Sequence, residues 1–102
     1  MTSERIDQLR AQIDAIDEQL VALLNRRAAC ALEIGRLKEA TGEPVYQPAR
    51  EALVLAHVAA GNQGPLDDGA IRRLFERIID EARRLERLAG RTGGGGPAGG
   101  ER

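Results

Sequence analysis

The stretch "IDQLRAQIDAIDEQLVALLNRRAACALEIGRLK", residues 6–38, decides how the chain is built. Apolar side chains fall at Ile6, Leu9, Ile13, Ile16, Leu20 and Leu23, and again at Cys30, Ile34 and Leu37. Steps of three and four residues mark one stripe of an α-helix used as a packing seam. The same rhythm calls for an apolar residue at position 27, where the chain has Arg27, and Lys38 follows directly on Leu37. Residues 27 and 38 are eleven apart, just over three full turns, so they share a face with Cα atoms roughly 16 Å apart. Two cations near a packing face are costly unless an anion pairs with them. An anion site between the two long side chains is one reading. The other is that both snorkel to the rim, as most helix charges do.

No proline interrupts residues 1–43, Thr2 or Ser3 can cap the start, and Gly42 with Pro44 stops the helix. A helix from Ser3 to Thr41 is roughly 58 Å long, whereas a compact domain of this size has a radius of gyration of about 13 Å. Two short helices cannot cover the whole apolar face of such a rod. The sequence therefore predicts an all-α fold with three helices per chain, one very long, in an intertwined two-fold dimer. A helix kinked near Gly35 and folded into a monomeric bundle is the alternative.

A second helix is expected from Pro48 to Ala60, with proline in its first turn and Gly61 as its stop. "GNQGPLDDG", residues 61–69, reads as a loop. Asp67 or Asp68 then caps a third helix with the stripe Ile71, Leu74, Phe75, Ile78, Ile79, Ala82 and Leu85, ending near Gly90. The expected domain is 1–90, with 91–102 a glycine-rich disordered tail or linker stub. The 102 residues carry a net charge of −1 and only two aromatic side chains, Tyr46 and Phe75. Nothing there suits nucleic acid or an anionic membrane surface. One cysteine and one histidine cannot form a Cys/His zinc cluster. With no apolar leader in "MTSERIDQLR" and no run long enough to span a bilayer, the expected compartment is the cytoplasm.

Other polar residues fall beside the two cations. Arg50 and Glu51 open the second helix, and Glu86 extends the register of Phe75, Ile79 and Ala82. Taken alone, Glu86 reads equally as an exposed residue at a helix end. Arg10 lies about 25 Å from Arg27 along the helix. It could reach only the partner's ligand, where two long helices cross antiparallel. Cys30 reads as a small core residue and His57 as a surface or rim residue. With no Ser/His/Asp arrangement, phosphate loop or metal motif, an enzyme of this sequence would use neither a nucleophile nor a metal.

The segment "LRAQIDAIDEQLVALLNRRAACALEIGRLK" followed by "PVYQPARE" resembles the all-helical AroQ class of chorismate mutase, over residues 5 to about 88. The motifs are L-R, I-D, L-L-x-x-R, E-I-G-x-x-K and P-x-R-E, all at family spacing. "NQGPLDDGAIRRLFERII" is similar to the subgroup fused to, or associated with, 3-deoxy-arabino-heptulosonate 7-phosphate (DAHP) synthase. The resemblance implies intertwined dimers that convert chorismate to prephenate without a cofactor, on the route to phenylalanine and tyrosine. It implies that Arg10 is donated from the partner chain. Arg27 and Lys38 would hold the substrate carboxylates, and Lys38 would also reach the ether oxygen. Glu51, after Arg50, would accept a hydrogen bond from the ring hydroxyl, and Glu86 would donate one to the ether oxygen. Gln47 replaces an aspartate and Ala82 a serine of the best-known members, where backbone groups could substitute with weaker binding. The same fold and cations also suit an isochorismate–pyruvate lyase, or a module that binds chorismate or prephenate and controls DAHP synthase.

Overall fold

A computed structural model describes the backbone of residues 2–44 and 46–94, with side-chain surroundings through Gly90. Three α-helices follow one another: α1 (Thr2–Thr41), α2 (Pro48–Ala60) and α3 (Asp68–Gly94), with no strand among the described residues. The helical boundaries of α1 and α2 lie where the proline and glycine signals put them. At the end of α1, Gly42 adopts φ +78°, a conformation that side chains with a Cβ resist. Its N–H donates to the Glu39 carbonyl at 3.3 Å, and the Glu43 N–H donates to the Lys38 carbonyl at 2.9 Å. This paired closure satisfies two of the free carbonyls of the last turn. It also pins the backbone of Lys38.

Gln47 is extended (φ −132°, ψ 96°) because the ring of Pro48 excludes the helical region from the residue before it. Its carbonyl accepts from the N–H groups of Arg50 at 3.0 Å and Glu51 at 3.2 Å. Beyond α2, Asn62 holds the loop together. Its Nδ2 donates to the Leu66 carbonyl at 2.7 Å and to Asp68 Oδ1 at 2.8 Å, and its Oδ1 accepts from the Gly64 N–H at 3.2 Å. Of the two candidate caps, Asp67 is the one used: the Ala70 N–H donates to Asp67 Oδ1 at 2.7 Å.

The described chain divides after Cys30 into two units. In the first, every residue from Thr2 to Arg26 is exposed, including the whole stripe of Ile6, Leu9, Ile13, Ile16, Leu20 and Leu23. Cys30, expected in a core, is exposed too, because the seam it belongs to has no cover within one chain. In the second unit α2 packs on α3, and Ala59 and Ile79 are the buried apolar residues. Phe75, Ile78 and Ala82 lie half-buried on the same face of α3, whereas Leu74 and Leu85, expected in that stripe, are exposed. The end of α1 presents Gly35, the buried residue of that helix, toward α3.

The expected end of α3 at Gly90 is also corrected: the helix runs on to Gly94. Backbone hydrogen bonds need no side chain, so glycine there weakens the helix without ending it. Of the expected 91–102 tail, residues 91–94 thus continue α3, and 95–102 lie outside the described residues.

Candidate active site

The second unit brings together residues from all three helices. At its centre is Glu86 on α3, facing Gly35 on α1. A Cβ placed on Gly35 would sit 2.8 Å from Glu86 Oε2, so only glycine leaves room for this carboxyl group. Glycine inside a helix costs about 1 kcal/mol relative to alanine. Here that cost accompanies a carboxyl group seated against helix backbone. A turn further along, Gly90 and Glu39 make a similar approach, with 3.2 Å between a Cβ there and Glu39 Oε2.

Burial pushes the Glu86 carboxyl above its ordinary value of 4.5. Lys38 and then Arg83 oppose the shift as neighbouring cations, and Glu39 adds to it as a neighbouring anion. Desolvation is the largest of these effects, so the net direction is upward. Sequence alone left this balance open. Lys38 is half-buried beside this carboxyl group and shares the Gly35 face of α1, while Ile34 and Leu37 remain exposed. Its place is therefore next to the apolar seam rather than in it.

Glu51, on the first turn of α2, is joined to α3 by Arg83: Arg83 Nη2 lies 2.8 Å from Glu51 Oε2. Arg83 also stands over the Tyr46 ring, 4.5 Å from its centroid, a cation–π contact. Neither Arg83, Tyr46 nor Gly35 was singled out from sequence as part of a site. In "IDEARRLER" Arg83 is indistinguishable from a solvated helix arginine, and nothing local marks Gly35 as the seat of a carboxyl group. Of the remaining candidates, Ala82 adjoins Arg83 on α3 and is half-buried, and Arg50 is exposed at the start of α2. Gln47 is half-buried, with its Nε2 3.4 Å from the Pro44 carbonyl. Arg10 and Arg27 belong to the first unit, where Arg10 is exposed and Arg27 half-buried. His57 is exposed, as expected of a rim residue.

The arrangement places an acid of raised proton affinity against a lysine, with a second carboxylate held by an arginine. It can donate a hydrogen bond from the carboxyl O–H of Glu86, attract anions through Lys38, and accept a hydrogen bond at Glu51. No group of His, Cys, Asp and Glu suited to a metal ion occurs among the described residues.

A substitution separates the fold from the site. Gly35→Ala is expected to leave the thermal midpoint unchanged or raised, since alanine favours the helix and the atom it meets is the mobile end of a side chain. The same change pushes the Glu86 carboxyl group aside, and catalytic efficiency should fall by about tenfold to a hundredfold. Melting curves and steady-state kinetics on one preparation check both halves. A large loss of stability would show that the glycine serves packing instead.

Comparison with known proteins identifies the family and the fold. The profile of the family "Chorismate mutase type II" matches residues 9–87. A bifunctional chorismate mutase/prephenate dehydratase of Pseudomonas aeruginosa is 43% identical over 88 residues, covering 81% of this chain and 24% of the relative. The chain thus spans about a quarter of the length of the bifunctional relatives it matches. A 4-amino-4-deoxychorismate mutase of Streptomyces venezuelae is 36% identical over 85 residues, covering 81% of this chain and 82% of the relative. Among solved structures, chorismate mutase (form II) of Thermus thermophilus superposes with a TM-score of 0.79 at 40% identity, over 81% of this chain and 94% of that one.

Proposed function

The chain belongs to the chorismate mutase type II family, and from that premise we propose that it isomerises chorismate to prephenate in the biosynthesis of phenylalanine and tyrosine. The observation that carries the proposal is the Glu86 carboxyl group, seated on Gly35 beside Lys38 with its proton affinity raised. The reaction is a [3,3] rearrangement within one molecule. A C–O bond breaks as a C–C bond forms, and no proton transfer, covalent intermediate or cofactor is needed. The site has two tasks. It holds a flexible dianion in a compact chair-like shape, and it stabilises the charge that grows on the ether oxygen. Lys38 and protonated Glu86 serve the second task as donors to that oxygen.

For the first task the family resemblance assigns Arg27 and Lys38 to the substrate carboxylates, with Arg10 supplied by a partner chain. Planar guanidinium groups bind carboxylates at two points. Glu51 accepts from the ring hydroxyl, and Gln47, Arg50 and Ala82 complete the binding residues. The partner is a second copy of the chain. Support comes from the first unit, where the large aliphatic stripe from Ile6 to Leu24 is exposed. A soluble monomer rarely leaves so long a contiguous apolar patch uncovered. Covering it would also bury Cys30. We expect sedimentation equilibrium at micromolar concentration to give a dimer of the 11.0 kDa chain. A single species at the monomer mass would remove both the dimer and the donated Arg10.

Loss of chorismate absorbance with equimolar appearance of prephenate, on adding purified protein, tests the activity itself. An absence of turnover in a folded dimer would refute it. The Streptomyces relative, matched over most of its own length, favours 4-amino-4-deoxychorismate as the substrate to offer alongside. No helix among the described residues is long and apolar enough to cross a membrane, and we place the enzyme in the cytoplasm. Association with DAHP synthase rests on the 62–79 stretch alone. The bifunctional relatives carry prephenate dehydratase as their second named activity.

A further inference from the structure

Arg83 is tethered from three elements. From α3 it reaches Glu51 on α2 at 2.8 Å, with the two side chains only 31% and 27% exposed. It is 3.3 Å from Asp80 one turn back on its own helix, whose side chain is 62% exposed. Its guanidinium group covers the face of Tyr46 in the α1–α2 connection. Its Nε is nevertheless buried with no hydrogen-bond partner. An arginine kept for stability alone is a poor choice at such a position, because a buried donor without a partner is destabilising and an apolar side chain of similar length would avoid it. The placement makes sense if the charge itself is needed, and the group it acts on is Glu51.

We propose that Arg83 is a positioning residue that sets substrate choice at the ring C4 substituent, favouring a neutral 4-hydroxyl over a cationic 4-amino group by balancing the charge of Glu51. This inference rests on the proposed assignment of Glu51 to the ring substituent. A carboxylate offers about four acceptor positions, so Glu51 can keep Arg83 and still accept from a neutral hydroxyl. A 4-amino group is largely protonated at neutral pH. Bound at Glu51, it would place a second cation on a carboxylate whose charge Arg83 already offsets. The pair is mostly withdrawn from water, so the repulsion is weakly screened, whereas the exposed Asp80 is well screened. Like-charge placement of this kind is a common way to reject one of two similar ligands. That a relative of the same family is named a 4-amino-4-deoxychorismate mutase shows that both substituents lie within the family's range.

The test measures kcat/KM for chorismate and for 4-amino-4-deoxychorismate with the full-length chain, its Arg83→Met and Arg83→Lys variants, and Asp80→Asn. Wild type should prefer chorismate. Arg83→Met should shift the ratio toward the amino substrate by about tenfold or more, chiefly through KM, with the melting temperature little changed. Arg83→Lys should keep the wild-type ratio, and Asp80→Asn should leave it within about twofold, as expected of a screened surface charge. If Arg83→Met lowers both efficiencies in parallel, Arg83 is structural and the proposal is overturned. A wild-type preference for the amino substrate overturns it as well, while leaving the mutase reading intact. Failure of wild type to turn over either substrate removes the mutase reading and this inference with it.

Discussion

Replacing Lys38 with alanine is expected to lower kcat/KM for chorismate by at least about a hundredfold, because the contact proposed between Lys38 and the substrate is a charge-assisted bond. The fold should survive. Alanine is the best helix former, and the closing bond at this position uses the Lys38 carbonyl, which the substitution keeps. Lys38→Arg should recover part of the loss, since it restores the charge with a different reach and shape. Arg27→Ala is expected to cost as much. Arg10 should act across the dimer: mixing inactive Arg10→Ala with inactive Arg27→Ala should restore some activity, because one of the two sites in the mixed dimer then holds both wild-type arginines. Kinetics close to those of wild type in folded Lys38→Ala protein would remove Lys38 from the chemistry. A mixture that stays inactive after demonstrated subunit exchange would place Arg10 outside the site.

The second large effect is a pH dependence. In the role proposed for it, Glu86 can donate to the ether oxygen only when protonated, and burial raises its pKa above the ordinary value. The protonated form therefore persists to higher pH than for a free glutamate, and activity should decline as pH rises through the shifted pKa. Glu86→Gln supplies a permanent donor and should flatten the decline, retaining efficiency above neutrality; Glu86→Ala should be poor throughout. The stability sign follows from the same shift. A carboxyl group whose folded pKa is raised contributes stability that is fully present below the unfolded pKa and is lost as pH rises through the folded one. Wild type should thus lose stability relative to Glu86→Gln as pH rises from about 4.5. Efficiency and urea midpoints from about pH 4.5 to 8.5 check both effects. Superimposable profiles for wild type and Glu86→Gln would mean that Glu86 touches no reacting atom.

What the sequence determined by itself is the set of elements. The 3–4 spacing over residues 6–37, interrupted only at Arg27, and the absence of proline before Pro44 specify one long helix. Pro48, Gly61 and Asp67 bound the next two, because each acts through its own backbone geometry and needs no distant partner. The motifs also carried the family. Tertiary structure decided which charges meet. Glu86 finds Gly35 across about fifty residues of chain, and that contact, through desolvation, turns an ordinary-looking glutamate into an acid of raised pKa. Arg83 became the holder of Glu51 because α2 packs on α3. Lys38 follows the seam residue Leu37 by one position, yet it is half-buried beside Glu86 while Leu37 is exposed, an outcome that periodicity cannot give when neighbouring faces of a helix meet different partners. Local signals specify where a helix starts and stops. The dielectric around a charge and the identity of its neighbour depend on pairs far apart in sequence, and only packing brings those together.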